Sequence, residues 1–154
     1  MAIDLLIAFV SSFIASFGFC FVYEVHGRVI FPASIGGAVT WLTYVITREL
    51  GIGQFLPYFY GAVALSIYAE VMSRVYKSPA TVFLIIGLLP LVPGSGIYNT
   101  MLAFVEGDID RFVQHGTQTL GISGVLALAL LAVSSVVRFV QVMQRRGKQL
   151  SRRL

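Results

Sequence analysis

The residues with the most chemical promise lie in one run, Leu89-Pro90-Leu91-Val92-Pro93-Gly94-Ser95-Gly96-Ile97-Tyr98-Asn99. Proline lacks the N–H that a helix needs and clashes with the preceding turn, at a cost of about 3 kcal/mol in a helix interior. Two prolines three residues apart, followed by two glycines, predict a break over 90–96 in an otherwise apolar helix. The backbone N–H groups that open its second half, around 94–97, would lack helical acceptors and suit a carboxylate. The glycines would let a ligand approach the backbone, and Ser95, Tyr98 and Asn99 add side-chain hydrogen bonds. Pro93, Gly94, Ser95, Gly96, Tyr98 and Asn99 are the expected substrate contacts. A proline-kinked structural helix would carry the same residues. A phosphate loop is excluded, because no Gly-Lys-Ser/Thr follows.

Outside that run the reactive groups are few. Glu70 and Arg74 stand four apart, Glu first, the favourable helical order for an ion pair. They read as an interfacial salt bridge, or as a gate or proton site at the inner mouth of a pathway. Glu24 invites the same two readings. No carboxylate lies deep within an apolar run, so a proton-coupling carboxylate would sit at a helix end or on a partner. His26 and His115 are expected on opposite sides as plain loop histidines, so no metal site is expected. No cofactor is expected either. Cys20 is the single cysteine, which rules out an internal disulfide and suits a small buried side chain. No nucleophile–base pair is evident, so an enzyme is not expected.

The elements that would hold these residues follow from charge. The 154 residues are 57% hydrophobic and 12% charged, whereas a soluble domain is about 45–50% apolar and about 25% charged. Mean hydropathy is +0.85. Five stretches carry no charge: 5–23, 29–47, 50–69, 78–105 and 112–137. Each is long enough to cross a bilayer, which takes about 17–25 residues. Their unbroken apolar runs exclude barrel strands, leaving helices. The expected fold is an all-α integral membrane protein of one domain, 1–154. Its five transmembrane helices are expected at about 3–23, 29–47, 53–71, 80–105 (broken at 90–96) and 118–141, followed by a basic cytoplasmic tail, 145–154.

Basic residues orient the chain. With the C-terminus inside, Lys and Arg divide nine to two in favour of the cytoplasm, and Glu106, Asp108 and Asp110 gather outside. N-out/C-in is expected, with the chain a multi-pass protein of the cytoplasmic (inner) membrane. Its start, Met1-Ala2-Ile3-Asp4, lacks the basic region of a signal peptide and reads as the beginning of a retained helix. The tail from Arg145 to Arg153 suits anionic lipid headgroups rather than nucleic acid, and Arg138 is expected to snorkel to them. Ser11, Ser12 and Ser16, and Ala33, Gly37 and Thr40, recur at one-turn spacing and suit close helix packing. Trp41, Tyr44, Tyr58, Phe59 and Tyr60 read as an outer aromatic belt. The two halves of the broken helix, 81–92 and 97–105, would measure about 18 and 14 Å, putting the break near mid-membrane.

Together with Ala69-Glu70, Ser73-Arg74 and Ser78-Pro79-Ala80 upstream, the run Leu89 to Tyr98 resembles the membrane half of the threonine/serine exporter family. More closely, it resembles the short separate subunit of the two-chain form, over roughly residues 5–140, with Ala33-Ser34-Ile35-Gly36-Gly37 also fitting. The resemblance implies secondary export of threonine/serine-type amino acids or of a dicarboxylate such as succinate. It also implies a partner, the longer membrane subunit of the same family, and leaves a higher oligomer open. Transporters commonly face two repeats across a midplane site, and a five-helix unit has its ends on opposite sides, so this chain would be half a transporter. The alternative is a membrane scaffold or assembly subunit with no substrate site of its own.

Overall fold

The computed structural model describes the backbone of residues 2–151 and the side chains of 3–137, 139 and 143. Among these residues the chain is helical, without strands: α1 (Ala2–Val22), α2 (Ile30–Glu49), α3 (Leu56–Tyr76), α4 (Ala80–Leu88), α5 (Gly94–Glu106) and α6 (Ile109–Ser151). Single 3-10 turns precede α2 (Gly27–Val29) and follow α4 (Leu89–Leu91). The Arg138 side chain and the basic side chains of 145–154 lie outside the described residues.

Local chemistry sets the ends. After α1, Glu24 adopts a left-handed φ of 52°, and the Val25 N–H donates to the Cys20 carbonyl at 2.8 Å, closing the helix with a left-handed cap. Pro57 sits in the first turn of α3, where a missing N–H costs nothing. Lys77, also at φ 52°, ends that helix just before Pro79. Gly107, at φ 74°, ends α5. The Arg111 N–H donates to Asp108 Oδ1 at 3.0 Å, a side-chain cap that starts α6 at once.

That cap corrects one expectation. The acidic cluster does not mark a long loop, because only Gly107 and Asp108 separate α5 from α6. The last helix begins at Ile109 rather than near 118 and runs for 43 residues, roughly 64 Å. Charge ends an apolar run without ending a helix. The break after α4 is also narrower than 90–96. Pro90 is absorbed into a 3-10 turn, Gly94-Ser95-Gly96 form the first turn of α5, and Val92 and Pro93 alone lie outside a helical turn.

α2 is the central element, packed against α1, α3 and α4, while α6 packs along α3 and α5 lies on α6. Small residues carry these contacts. Ser12, Ser16, Ala33, Gly37 and Thr40 are buried, whereas Ser11 is exposed. A side chain on Gly37 would collide with Ser16, and one on Gly87 with Leu65. Without a hydrophobic drive between helices in lipid, such close approach is how they gain attraction. Cys20 is buried as expected, beside Ser34 at 3.7 Å.

Among the described residues, three helical segments are long and apolar enough to cross a membrane: Ile3–Val22, Gly27–Glu49 and Ile109–Val137. The pair Ala80–Leu91 and Gly94–Glu106, bent by 52°, makes a fourth when counted as one. α3 is 21 residues long but, with Glu70, Arg74 and four tyrosines, does not meet that test.

Candidate functional site

The bend is built by Pro93. Its φ of −76° and ψ of 58° are those of an inverse γ-turn, and the Gly94 N–H closes it onto the Val92 carbonyl at 2.7 Å. The Pro93 carbonyl then accepts the Ile97 N–H at 3.0 Å, the first hydrogen bond of α5. No side chain caps this helix start. Beneath it, the turn before the bend is clamped halfway along α2. Pro90 faces Gly37, and Leu91 lies 3.0 Å from where a Gly61 side chain would begin. Leu91 is 1% exposed, in a cluster with Tyr44, Ala62, Ile122, Leu126 and Ala129.

On the far side of that cluster the start of α5, the start of α3 and α6 enclose a cleft of about 250 Å³. Pro93, Ser95, Gly96 and Asn99 line it from α5, Tyr58 from α3, and His115, Gln118, Thr119 and Ile122 from α6. Four of the six expected contacts are therefore brought together. Gly94 is exposed and outside the cleft, and Tyr98, 66% exposed, is also outside its lining.

Gly96 has a second reason for being glycine. A side chain there would collide with Thr119 Oγ1, so its absence lets α5 lie against α6. Thr119 in turn donates to the His115 carbonyl at 2.7 Å, and Thr100 to the Gly96 carbonyl at 2.7 Å. These bonds hold both threonine hydroxyls on their own helices.

His115, expected in a loop, lies on α6, and Gln118 and Thr119 beside it are not singled out by the sequence. His115, Gln118 and Thr119 recur at three- and four-residue spacing, the pattern of one helical face. That signal is present in the sequence, but it falls across the expected start of the last span near 118. The sequence places Tyr58 in an outer aromatic belt. Instead its ring packs on Tyr44 with centroids 4.7 Å apart, Tyr44 stacks on Trp41 at 4.9 Å, and the Tyr44 hydroxyl donates to Tyr58 Oη at 3.4 Å. Of the five aromatics, only Tyr60 is exposed.

The remaining candidates lie elsewhere. Glu70 and Arg74 form the expected ion pair, with Arg74 Nη2 donating to Glu70 Oε1 at 2.8 Å. Glu70 also lines a groove of about 280 Å³ between α3, α4 and α6, together with Ser66, Thr81 and Ser134. Glu24 is exposed at the α1 terminus and lines neither cavity. His26 sits in the α1–α2 connection while His115 is on α6. Among the described residues no cluster suits a metal ion.

Membrane-length apolar helices around an interrupted one, with polar groups collected at the interruption, define a helical membrane protein. The family described as "Threonine/Serine exporter, ThrE" matches residues 8–136. The chain belongs to that family, a family of transporters. Neither a curated protein nor a solved structure matches it significantly.

Proposed function

We propose that this chain is one subunit of a secondary exporter for small carboxylate-bearing metabolites, either threonine/serine-type amino acids or a dicarboxylate such as succinate. The cleft at the α4–α5 break is its substrate site. The observation that carries this reading is the concentration of Ser95, Asn99, Tyr58, His115, Gln118 and Thr119 around one helix start in a largely apolar chain. Polar side chains inside a membrane are expensive and mark pathways, and interrupted helices are the common way to build a transporter site. At about 30 Å³ per water, the cleft has room for about eight waters or for a four-carbon acid.

In this reading all five apolar runs cross the inner membrane, N-out/C-in, with α4 and α5 sharing the fourth crossing. α3 spans despite its polarity because Ser66 and Ala69 are buried and its ion pair, Glu70 with Arg74, lies in its last two turns, at the watery inner mouth. The cleft lies on one side of the Leu91–Leu126 cluster, and the Glu70 groove lies on the other, along the same α3–α6 seam. That order suits alternating access, with Glu70 and Arg74 at the inner mouth. A longer subunit of the same family supplies the facing wall.

The packing of Gly96 on Thr119 also favours a second reading, in which the break serves only assembly. Counterflow of threonine and of succinate in liposomes, with the longer subunit copurified, separates the two. Asn99→Ala and Ser95→Ala alter the cleft but not the Gly96–Thr119 contact. They should leave assembly intact and reduce counterflow at least tenfold. Unchanged counterflow would favour the scaffold, and transport of neither solute by an assembled complex would sink the exporter reading.

A further inference from the structure

One cleft residue has a chemistry that the proposed transport leaves unused. His115 is half-buried on α6, lines the cleft opposite Ser95 and Asn99, and has its carbonyl, not its ring, engaged by Thr119. We propose that His115 is the protonation-dependent anchor for a substrate carboxylate in this cleft, so that the site takes its anionic ligand together with a proton. The inference rests on the substrate reading of the cleft.

The surroundings leave this role to His115. From α3 the ionisable side chain in the lining is Tyr58, a phenol that stays neutral at physiological pH. Arg48, in the last turn of α2, does not line the cleft. From α5 the lining is Pro93, Ser95, Gly96 and Asn99, none of which ionises there. One turn before His115 on α6, Arg111 is held 3.2 Å from Asp108 in an ion pair, and its side chain is 67% exposed. Among the described residues, His115 is the one imidazole in the lining, the side-chain type suited to a charge switch near neutral pH. A neutral imidazole offers a carboxylate one donor; an imidazolium offers two donors and a full charge. Hydrogen bonds to a charged partner are roughly twice as strong as neutral ones. By linkage, a ligand preferring the protonated form must draw in a proton when it binds.

The test measures succinate and L-threonine binding to the complex with its longer subunit by calorimetry at pH 6 and pH 8, where both solutes keep an ionised carboxylate. At least one solute should bind about tenfold more tightly at pH 6 than at pH 8, the direction expected when the anchor holds the carboxylate in its charged form. Binding should take up protons, read from the dependence of heat on buffer ionisation. In His115→Gln, affinity should be weak and flat with pH, and proton uptake should vanish. Asn99→Ala should weaken binding at both pH values and keep the pH dependence. The chain has two histidines, so with histidine labelling confined to it, ligand should shift the His115 ring signals and leave those of His26 in place. Wild-type binding without pH dependence, or pH dependence surviving in His115→Gln, would overturn the anchor role while leaving the cleft as a site. No binding at either pH by an assembled complex would overturn the cleft reading as well.

Discussion

Replacing Gly96 by alanine tests how α5 is held on α6, because the structure predicts the sign of a coupling and not merely a loss. The new methyl would run into Thr119 Oγ1. Alanine gains up to about 1 kcal/mol of helix propensity over glycine. Overpacking costs about 1–3 kcal/mol, and turning Thr119 away from the His115 carbonyl gives up a bond worth about 0.5–1.5 kcal/mol. A net destabilisation of about 1–2 kcal/mol is expected from these opposing amounts. Thr119→Ala alone should cost less, about 0.5–1 kcal/mol, because the local bond is lost without a clash. In the double variant the methyl at 96 meets only the residue 119 Cβ, 3.4 Å away, so its stability should be near that of Thr119→Ala alone. The cycle should therefore show a coupling of about 1–2 kcal/mol in favour of the pair. Gly94→Ala is the control, since nothing lies within 4 Å of a side chain there. Unfolding in mixed micelles by a denaturing detergent reads the four proteins of the cycle and the control. Additivity within about 0.5 kcal/mol would refute the close approach.

At the α1–α2 contact, Gly37→Ala should destabilise by about 1–3 kcal/mol in the same assay, because the methyl meets the Ser16 hydroxyl and Cβ. Ser16→Ala should be neutral or stabilising by up to about 1 kcal/mol, since its buried hydroxyl has no hydrogen-bond partner. A loss above about 1 kcal/mol would mean that the hydroxyl is bonded in the membrane. Arg74→Gln should change stability by less than about 1 kcal/mol, because the Arg74 side chain is 58% exposed and water screens the pair. If the pair acts as an inner gate, the same variant should alter counterflow while the unfolding midpoint stays within that margin.

The sequence alone determined that the chain is helical and apolar enough for a membrane, because helix and lipid both impose coarse, additive rules on runs of some twenty residues. It also marked 90–96 as a place where a regular helix is costly, since proline chemistry is local; in the structure the helices on either side of Val92 and Pro93 are bent by 52°. The pairing of Glu70 with Arg74 was legible for the same reason, as one helical turn joins them. What lies on the other wall of the cleft was not local. Tyr58 and His115 are separated by 57 positions in the sequence, and they come to one cleft because α3 and α6 pack directly against each other. Tertiary packing also decided that Tyr44 and Tyr58 turn inward, and that Gly96 answers to Thr119. Such choices depend on which surfaces come into van der Waals contact, and contact between distant segments is a property of the folded chain rather than of any stretch of it.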